Sequence, residues 1–425
     1  GSVNQAGDFA FLSSVGAGSA LFLRRAGTPN PVRLLQVGDP VPGFPGSQTT
    51  SLGFNGAFGA RGMNSAGRLA ISVGFGLSDG LTHSAVLTYD GSAFRTVAFS
   101  DDVAPGSGGQ IYGNLSVAGF NDSDAVVFTA STTPLGPTTA IVSSSSIYLA
   151  LSGGGAPVRI AGPGDAAPGT GGTFLTGTVS FVSFNNAAQV LFNAQVSGTS
   201  GRGLFLGSSA GSQTIVVPGD PVPAPGTGTF PAVSAGLLSD TGVVSFLASG
   251  IIWNYAGGGL TALVQGGVTA APAAIGGTLS ALAAPAATNS AGDLLFSSSV
   301  TGSATTNSAL LRRHSNGTMD VVAYFSQAAP GVTGKTFSSF TAMSMASDGT
   351  ASFLAFFANA GSGVYQQAGA AAPQLVALEG APAPLPGGGT LGGFSGTRML
   401  NDGSTFFTPS ISGGTAVFAE FRGTP

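Results

Sequence analysis

A tight turn of one pattern is written eight times along the chain. "NQAGDFAF" at Asn4 returns as "NSAGRLAI" at Asn64, "NDSDAVVF" at Asn121, "NNAAQVLF" at Asn185 and "SDTGVVSF" at Ser239. "NSAGDLLF" follows at Asn289, "SDGTASF" at Ser347 and "NDGSTFF" at Asn401. The apolar residues that close the copies are Phe11, Ile71, Phe128, Phe192, Phe246, Phe296, Phe353 and Phe407, at intervals of 50 to 64 residues. Self-similarity at that period marks a repeat architecture, in which each unit buries its apolar faces against its neighbours.

Four apolar segments fit into one period. The first precedes the turn, as in "FLTGTVSFVSF" from Phe174; the second follows it, as in "VVFTA" from Val126. The third is "ALFLRR" at Ala20, "GLFLGS" at Gly203, "GIIWNY" at Gly250 or "AVFAEF" at Ala416. The fourth is "VRLLQV" at Val32, "VRIAGP" at Val158, "TIVVPG" at Thr214 or "QLVALE" at Gln374. Each is short, rich in β-branched or aromatic residues and bounded by Gly, Asn, Ser or Pro, which predicts strands. A longer link then recurs, as "GDPVPG" at Gly38 and "GDAAPGTGGTF" at Gly164. Short hairpins within a unit and one longer link between units is the wiring of propeller blades.

Composition agrees. Charged residues are 7% of the chain, against about 25% in average proteins. With 70 Gly, 25 Pro, one Lys and two Glu, a mainly helical chain is excluded. The fold class expected is all-β, a propeller of four-stranded blades, most simply eight-bladed. A seven-bladed ring and tandem β-sandwiches are the competitors. Residues 1–425 read as a single repeat domain of eight repeats of about 57 residues, the first and last incomplete. Strands of the first and fourth kinds number seven rather than eight, the missing pair falling before Val3, so copies of the chain or another segment are expected to supply them. The formal charge of −4 gives no polybasic footprint, so no nucleic acid is expected. Without cysteine there are no disulfides or thiolate metal sites. The uncharged run from Thr241 to Gly292 is interrupted too often by Gly, Pro, Ser and Thr for a transmembrane helix.

"NQAGDFAF" fits N-x-x-G-x-x-A-F, and the chain resembles the bacterial tandem-repeat surface proteins of that motif, which carry varied C-terminal anchors. Ala188 and Asp124 depart from the motif's glycine, and Ala346 from its asparagine. The resemblance implies export and the cell surface, and no reaction. The expectation is a secreted or surface-displayed, non-catalytic protein, a structural, adhesive or self-assembling subunit. A carbohydrate-binding propeller is the alternative, and a carboxylate-based glycosidase or lyase the second.

Candidate chemistry is sparse. The repeated Asn4, Gly7, Asn64, Gly67, Asn121, Asn185, Gly242, Asn289, Gly292, Gly349 and Gly403 read as turn residues, because Asn bonds its own backbone and Gly accepts positive φ. Asp39, Asp102, Asp165 and Asp220 begin the links and would form a carboxylate ring on one face. One carboxylate per blade falls short of a calcium shell, and Gln327 and Ala381 replace two of them, while "GGVTAAP" at Gly266 has no counterpart. "NDSD" from Asn121 lacks the rest of a calcium loop. "APGVTGKT" from Ala329 approximates a phosphate loop, but a strand-like segment follows instead of a helix. "GLSDG" and "GSSAG" match the serine-elbow pattern without its strand-to-helix setting, and only His83 and His314 are available as bases. Trp253, Asn254 and Tyr255 are the candidates for a sugar-stacking platform. No cofactor is expected.

Overall fold

The computed structural model of the chain describes residues 1–425 except 17, 55–61, 134–144, 384–388, 401–402, 412–413, 416–417 and 421–425. Every regular element among the described residues is a strand. The strands form eight antiparallel sheets, one per repeat, each running in chain order. No helix among these residues is long and apolar enough to cross a membrane.

The chain divides into two compact units, Gly1–Pro221 with Thr229–Gly242, and Val222–Gly228 with Val243–Pro425. In the first unit, repeat 1 pairs Ser2–Val3, Phe9–Val15, Gly18–Arg24 and Val32–Gln36. Repeat 2 pairs Gln48–Gly53, Leu69–Gly76, Thr82–Tyr89 and Phe94–Phe99, and repeat 3 pairs Ile111–Phe120, Val126–Thr133, Ser145–Ala150 and Val158–Ala161. The two-residue strand Ser2–Val3 is a correction: the first repeat has its first strand, paired through Val3 and Phe9. In the second unit, the third strand position of repeat 8 is taken by Gly414–Thr415 and Phe418–Glu420, both pairing with Thr405–Ile411.

The core lies between successive sheets. In the first unit Leu21 of repeat 1 clusters with Phe75 and Leu87 of repeat 2. Val86 clusters with Tyr112, Phe128 and Tyr148 of repeat 3, and Ile147 with Phe192 and Phe205 of repeat 4. The second unit repeats the scheme, Leu295 and Leu310 packing with Phe353 and Tyr365. Second strands between two sheets are therefore covered on both faces, as in the unbroken buried run Val190–Ala194, while Phe9–Val15 of repeat 1 is largely half-buried or exposed. Of the eight closing apolar residues, all but Phe11 are buried. Truncating one such Phe to Ala costs about 3–5 kcal/mol.

The copied turn works in two directions. Within it, Asn4 Oδ1 accepts the N–H groups of Ala6 and Asp8 at 3.0 and 2.8 Å. Outward, Asn4 Nδ2 donates to the Ser65 carbonyl of the next repeat at 3.1 Å. The same outward bond runs from Asn64 to Asn121, from Asn121 to Asn185 and from Asn185 to Ser239, and in the second unit from Asn289 to Ser347. An amide supplies both the acceptor and the donor, whereas an ionised Asp only accepts. The copied turn thus sets shape locally and ties repeats 1 to 4 and repeat 6 to their successors. At the glycine position Asp124 and Ala188 still take left-handed φ of 60° and 57°. Gly403 keeps φ 86°, while Asn401 lies outside the described residues.

Candidate functional site

One corner of each repeat brings together the residue four places after the turn asparagine and the hairpin that ends the third strand. Strand register carries the correspondence from repeat to repeat: Phe9 pairs with Arg24, Leu69 with Tyr89, and Leu294 with Arg313. Asp8, Arg68 and Asp293 are therefore equivalent, and so are Arg25, Asp90 and His314.

In repeat 1 the corner is closed. The Asp8 carboxylate accepts from Arg25 Nη1 and from the Ala26 N–H, both at 2.8 Å, and from Asn4 Nδ2 at 3.1 Å. Burial alone would raise the Asp8 carboxyl, but the Ala26 N–H, Arg25 and Asn4 together hold it below the usual carboxylate range. Repeat 6 closes the same way, Asp293 accepting from the Ser315 N–H at 3.0 Å with His314 Nδ1 at 3.3 Å.

In repeat 2 the charges are exchanged, and the corner opens. Arg68 pairs across to Asp124 of repeat 3, whose other oxygen accepts from Asn64 Nδ2 at 2.8 Å. Asp90 instead builds its own turn: Oδ1 accepts from the N–H groups of Ser92 and Ala93 and from the Ser92 hydroxyl, at 2.8–2.9 Å. The Ala93 and Ser92 bonds hold its carboxyl far below the usual range, so it is ionised throughout the physiological span. Its Oδ2 stands 3.9 Å from Arg95 Nε, and the Arg95 side chain is 79% exposed.

The result is a cleft of about 350 Å³ between repeats 2 and 3. Phe120, Val126 and Ala150 lie at its base, and Arg68, Asp90, Arg95 and Asp124 supply charge. Tyr89, whose ring packs on Phe94 at 5.0 Å, and Leu151, 45% exposed, add apolar surface, and Gly153–Gly155 line the remaining side without side chains. The volume falls within the range of small-molecule sites. Sequence reading missed this cleft. The signal was present as the exchange of acid and base between "GDFAF…RRA" and "GRLAI…YDG".

The residues singled out from sequence lie elsewhere. Trp253 is fully buried, donating Nε1–H to the Ala248 carbonyl at 3.2 Å, and Tyr255 is buried beside it. Asn254 Oδ1 accepts from the Ser245 hydroxyl at 2.6 Å. No sugar can stack on that indole, and the platform expectation is withdrawn.

The link aspartates act on their own turns. Asp39 Oδ2 accepts the Gln36 N–H at 2.9 Å and Asp220 Oδ2 the Val217 N–H at 3.0 Å. Gln327 does the same for Tyr324, and Thr269 for Gln265, so "GGVTAAP" has its counterpart after all. Asp165 pairs with Arg159 at 3.0 Å, and burial raises its carboxyl against that arginine; burial also raises Asp102. Lys335 donates to the Asn359 carbonyl at 2.7 Å, and the strand Phe337–Met345 follows, so its loop is a link and not a phosphate cradle. Each histidine lies between two carboxylates. His83 faces Asp101 and Asp79 at 2.8 and 2.9 Å, and His314 faces Asp293 and Asp320. Both ring nitrogens of His83 are thus engaged by carboxylates.

A family of unknown function, DUF7453, matches residues 1–230 and again residues 225–418. The chain belongs to the DUF7453 family. The two matches meet close to where the structure divides, so each unit is one copy of the DUF7453 sequence unit, built from about four repeats. No curated protein matches the sequence. Among solved structures, a study of two prolyl endopeptidases is matched at 11% identity and TM-score 0.48, over 96% of this chain and 53% of that one. Pyrococcus horikoshii acylaminoacyl peptidase is matched at 9% and 0.39, over 85% and 50%. Trypanosoma rangeli sialidase is matched at 10% and 0.26, over 87% and 71%. The chain spans about half the length of the peptidases it matches. The matched structures are named as hydrolases, against the expectation of a structural, adhesive or self-assembling subunit, which is not retained. At such identities they assign this chain no reaction.

Proposed function

We propose that this DUF7453 protein is a carbohydrate-binding β-propeller of eight four-stranded blades, working outside the cell, with its ligand in the cleft between repeats 2 and 3. The open corner carries this reading. A carboxylate oxygen and a guanidinium stand side by side at Asp90 and Arg95, an arrangement that takes vicinal sugar hydroxyls as donor and acceptor together. Tyr89 and Leu151 offer the apolar face on which a pyranose ring rests. The glycine run Gly153–Gly155 lets a ligand approach the backbone.

Binding without bond cleavage is the proposed activity. A glycosidase requires one carboxyl with a raised pKa to protonate the leaving oxygen. Asp90 is shifted the opposite way, and Asp124 is tied to Arg68 and Asn64. The test is a glycan array read with the whole protein and with Asp90→Ala. Binding of at least one glycan class, weakened tenfold or more by the substitution, is expected. Signal that is unchanged in Asp90→Ala rules out this cleft as the site.

A further inference from the structure

The cleft's hydrogen-bonding groups are unequally engaged, and this identifies the kind of sugar it takes. Asp90 Oδ1 already accepts three bonds, and both Asp124 oxygens are occupied by Arg68 and Asn64. The carboxylates therefore retain one principal acceptor, Asp90 Oδ2. Donors are in surplus. Arg95 has only a long 3.9 Å contact through Nε, which leaves its two terminal nitrogens for a ligand. Arg68 meets Asp124 through Nη1, leaving further N–H groups on the same guanidinium. A ligand that fits must be rich in acceptors.

We propose that the cleft between repeats 2 and 3 binds a uronate-containing glycan, its carboxylate held by the Arg95 guanidinium and an adjacent hydroxyl donating to Asp90 Oδ2. This rests on the carbohydrate-binding reading above and specifies its substrate class. A guanidinium presents two parallel N–H groups that match a carboxylate in a bidentate pair, where a neutral hydroxyl uses only one. Two arginines and two aspartates leave the cleft formally neutral. The formal charge of −4 belongs to the whole chain, and charges more than about 8 Å away are largely screened at physiological salt. The charges that act on a bound carboxylate are therefore the local ones: Arg95 and Arg68 attract it, and the ionised Asp90, 3.9 Å from Arg95 Nε, opposes them.

The experiment is calorimetric titration of the whole protein with a panel of oligouronates (galacturonate, mannuronate and guluronate) and with their methyl esters, which keep the ring and remove the charge. At least one uronate should bind ten times or more tighter than its ester, and raising salt from 20 to 300 mM should narrow the gap. Arg95→Ala should abolish the preference and Arg95→Lys restore part of it; the side chain is exposed, so neither change threatens the fold. Equal binding of acid and ester, or a preference untouched by Arg95→Ala, overturns the uronate assignment and leaves carbohydrate binding standing. Failure of every acid and every ester to bind overturns the uronate assignment, and an array without a bound glycan of any class overturns carbohydrate binding with it.

Discussion

Repeats 1 and 2 have the same backbone corner, and two side chains decide whether it is closed or open. With acid on the strand and base on the hairpin, Asp8 gathers Arg25, the Ala26 N–H and Asn4. With base on the strand and acid on the hairpin, the pair is not remade in mirror image. The reason is that a carboxylate only accepts and a guanidinium only donates. Arg68 offers nothing to a hairpin N–H, so Asp90 turns inward to satisfy Ser92 and Ala93, and Arg68 reaches outward to Asp124. Reversing an ion pair within a fixed backbone is therefore not a neutral change. It leaves the cleft.

The strongest test of that comparison is to restore the order of repeat 1 in repeat 2. The double substitution Arg68→Asp with Asp90→Arg should rebuild the closed corner, place an arginine over the cleft and reduce glycan binding by more than tenfold. Thermal denaturation should show the protein still folded, because the carboxylate introduced on the strand would accept the hairpin N–H as Asp8 does. Undiminished binding in that variant would dissociate the cleft from the exchange of charges.

Removing the acid from each corner separately comes next in size. Asp8 is almost wholly buried as a side chain, at 10% exposure. Asp8→Ala leaves the Ala26 N–H and Arg25 without their acceptor and should cost about 2–3 kcal/mol. Asp90→Ala removes the acceptor of one exposed turn and should leave the melting curve almost unchanged, as ordinary surface changes do. The pH dependence separates the corners further. The Asp8 carboxyl is lowered in the fold, so its contribution is complete above the unfolded value near pH 4 and is lost as pH falls through the lower folded value. Asp102 and Asp165 are raised and contribute with the opposite sign, gaining as they protonate. Subtracting an Asp8→Asn variant from the wild type cancels those terms. The difference in unfolding free energy should be flat above about pH 5 and shrink below about pH 4.

The repeat and its strands were legible because they rest on spacing and residue type. Asn before a left-handed Gly, then a buried Phe, leaves few alternatives to turn and strand. The cross-repeat bond from each asparagine was not legible, since Asn121 meets Asn185 only once adjacent sheets are stacked. The platform at Trp253 failed for a related reason. An aromatic residue in a third strand looks the same in sequence whether its face is open or covered, and here it is fully buried. The cleft was in view as reversed charges at Arg68 and Asp90, but its opening depends on Asp124 lying within reach of Arg68, a contact between residues 56 positions apart.

Asp124 itself offers the finest test. It and Ala188 occupy the turn's glycine position with φ near +60°, where a side chain is strained. The Ala188 methyl group is only partly buried, at the margin of the core shared by repeats 3 and 4. Its loss costs less than the strain it carries, so Ala188→Gly should stabilise the protein by about 0.5 kcal/mol. Asp124→Gly relieves the same kind of strain but removes the Asn64 bond and the Arg68 pair. Its gain should be cancelled or reversed, and the freed Arg68 should also shift glycan affinity. Matched melting curves of the two variants distinguish a residue kept for the cleft from one that merely fills a turn. Equal gains would show that Asp124 contributes nothing through its side chain. A loss confined to Asp124→Gly would show that the backbone strain is offset by the contact with repeat 2.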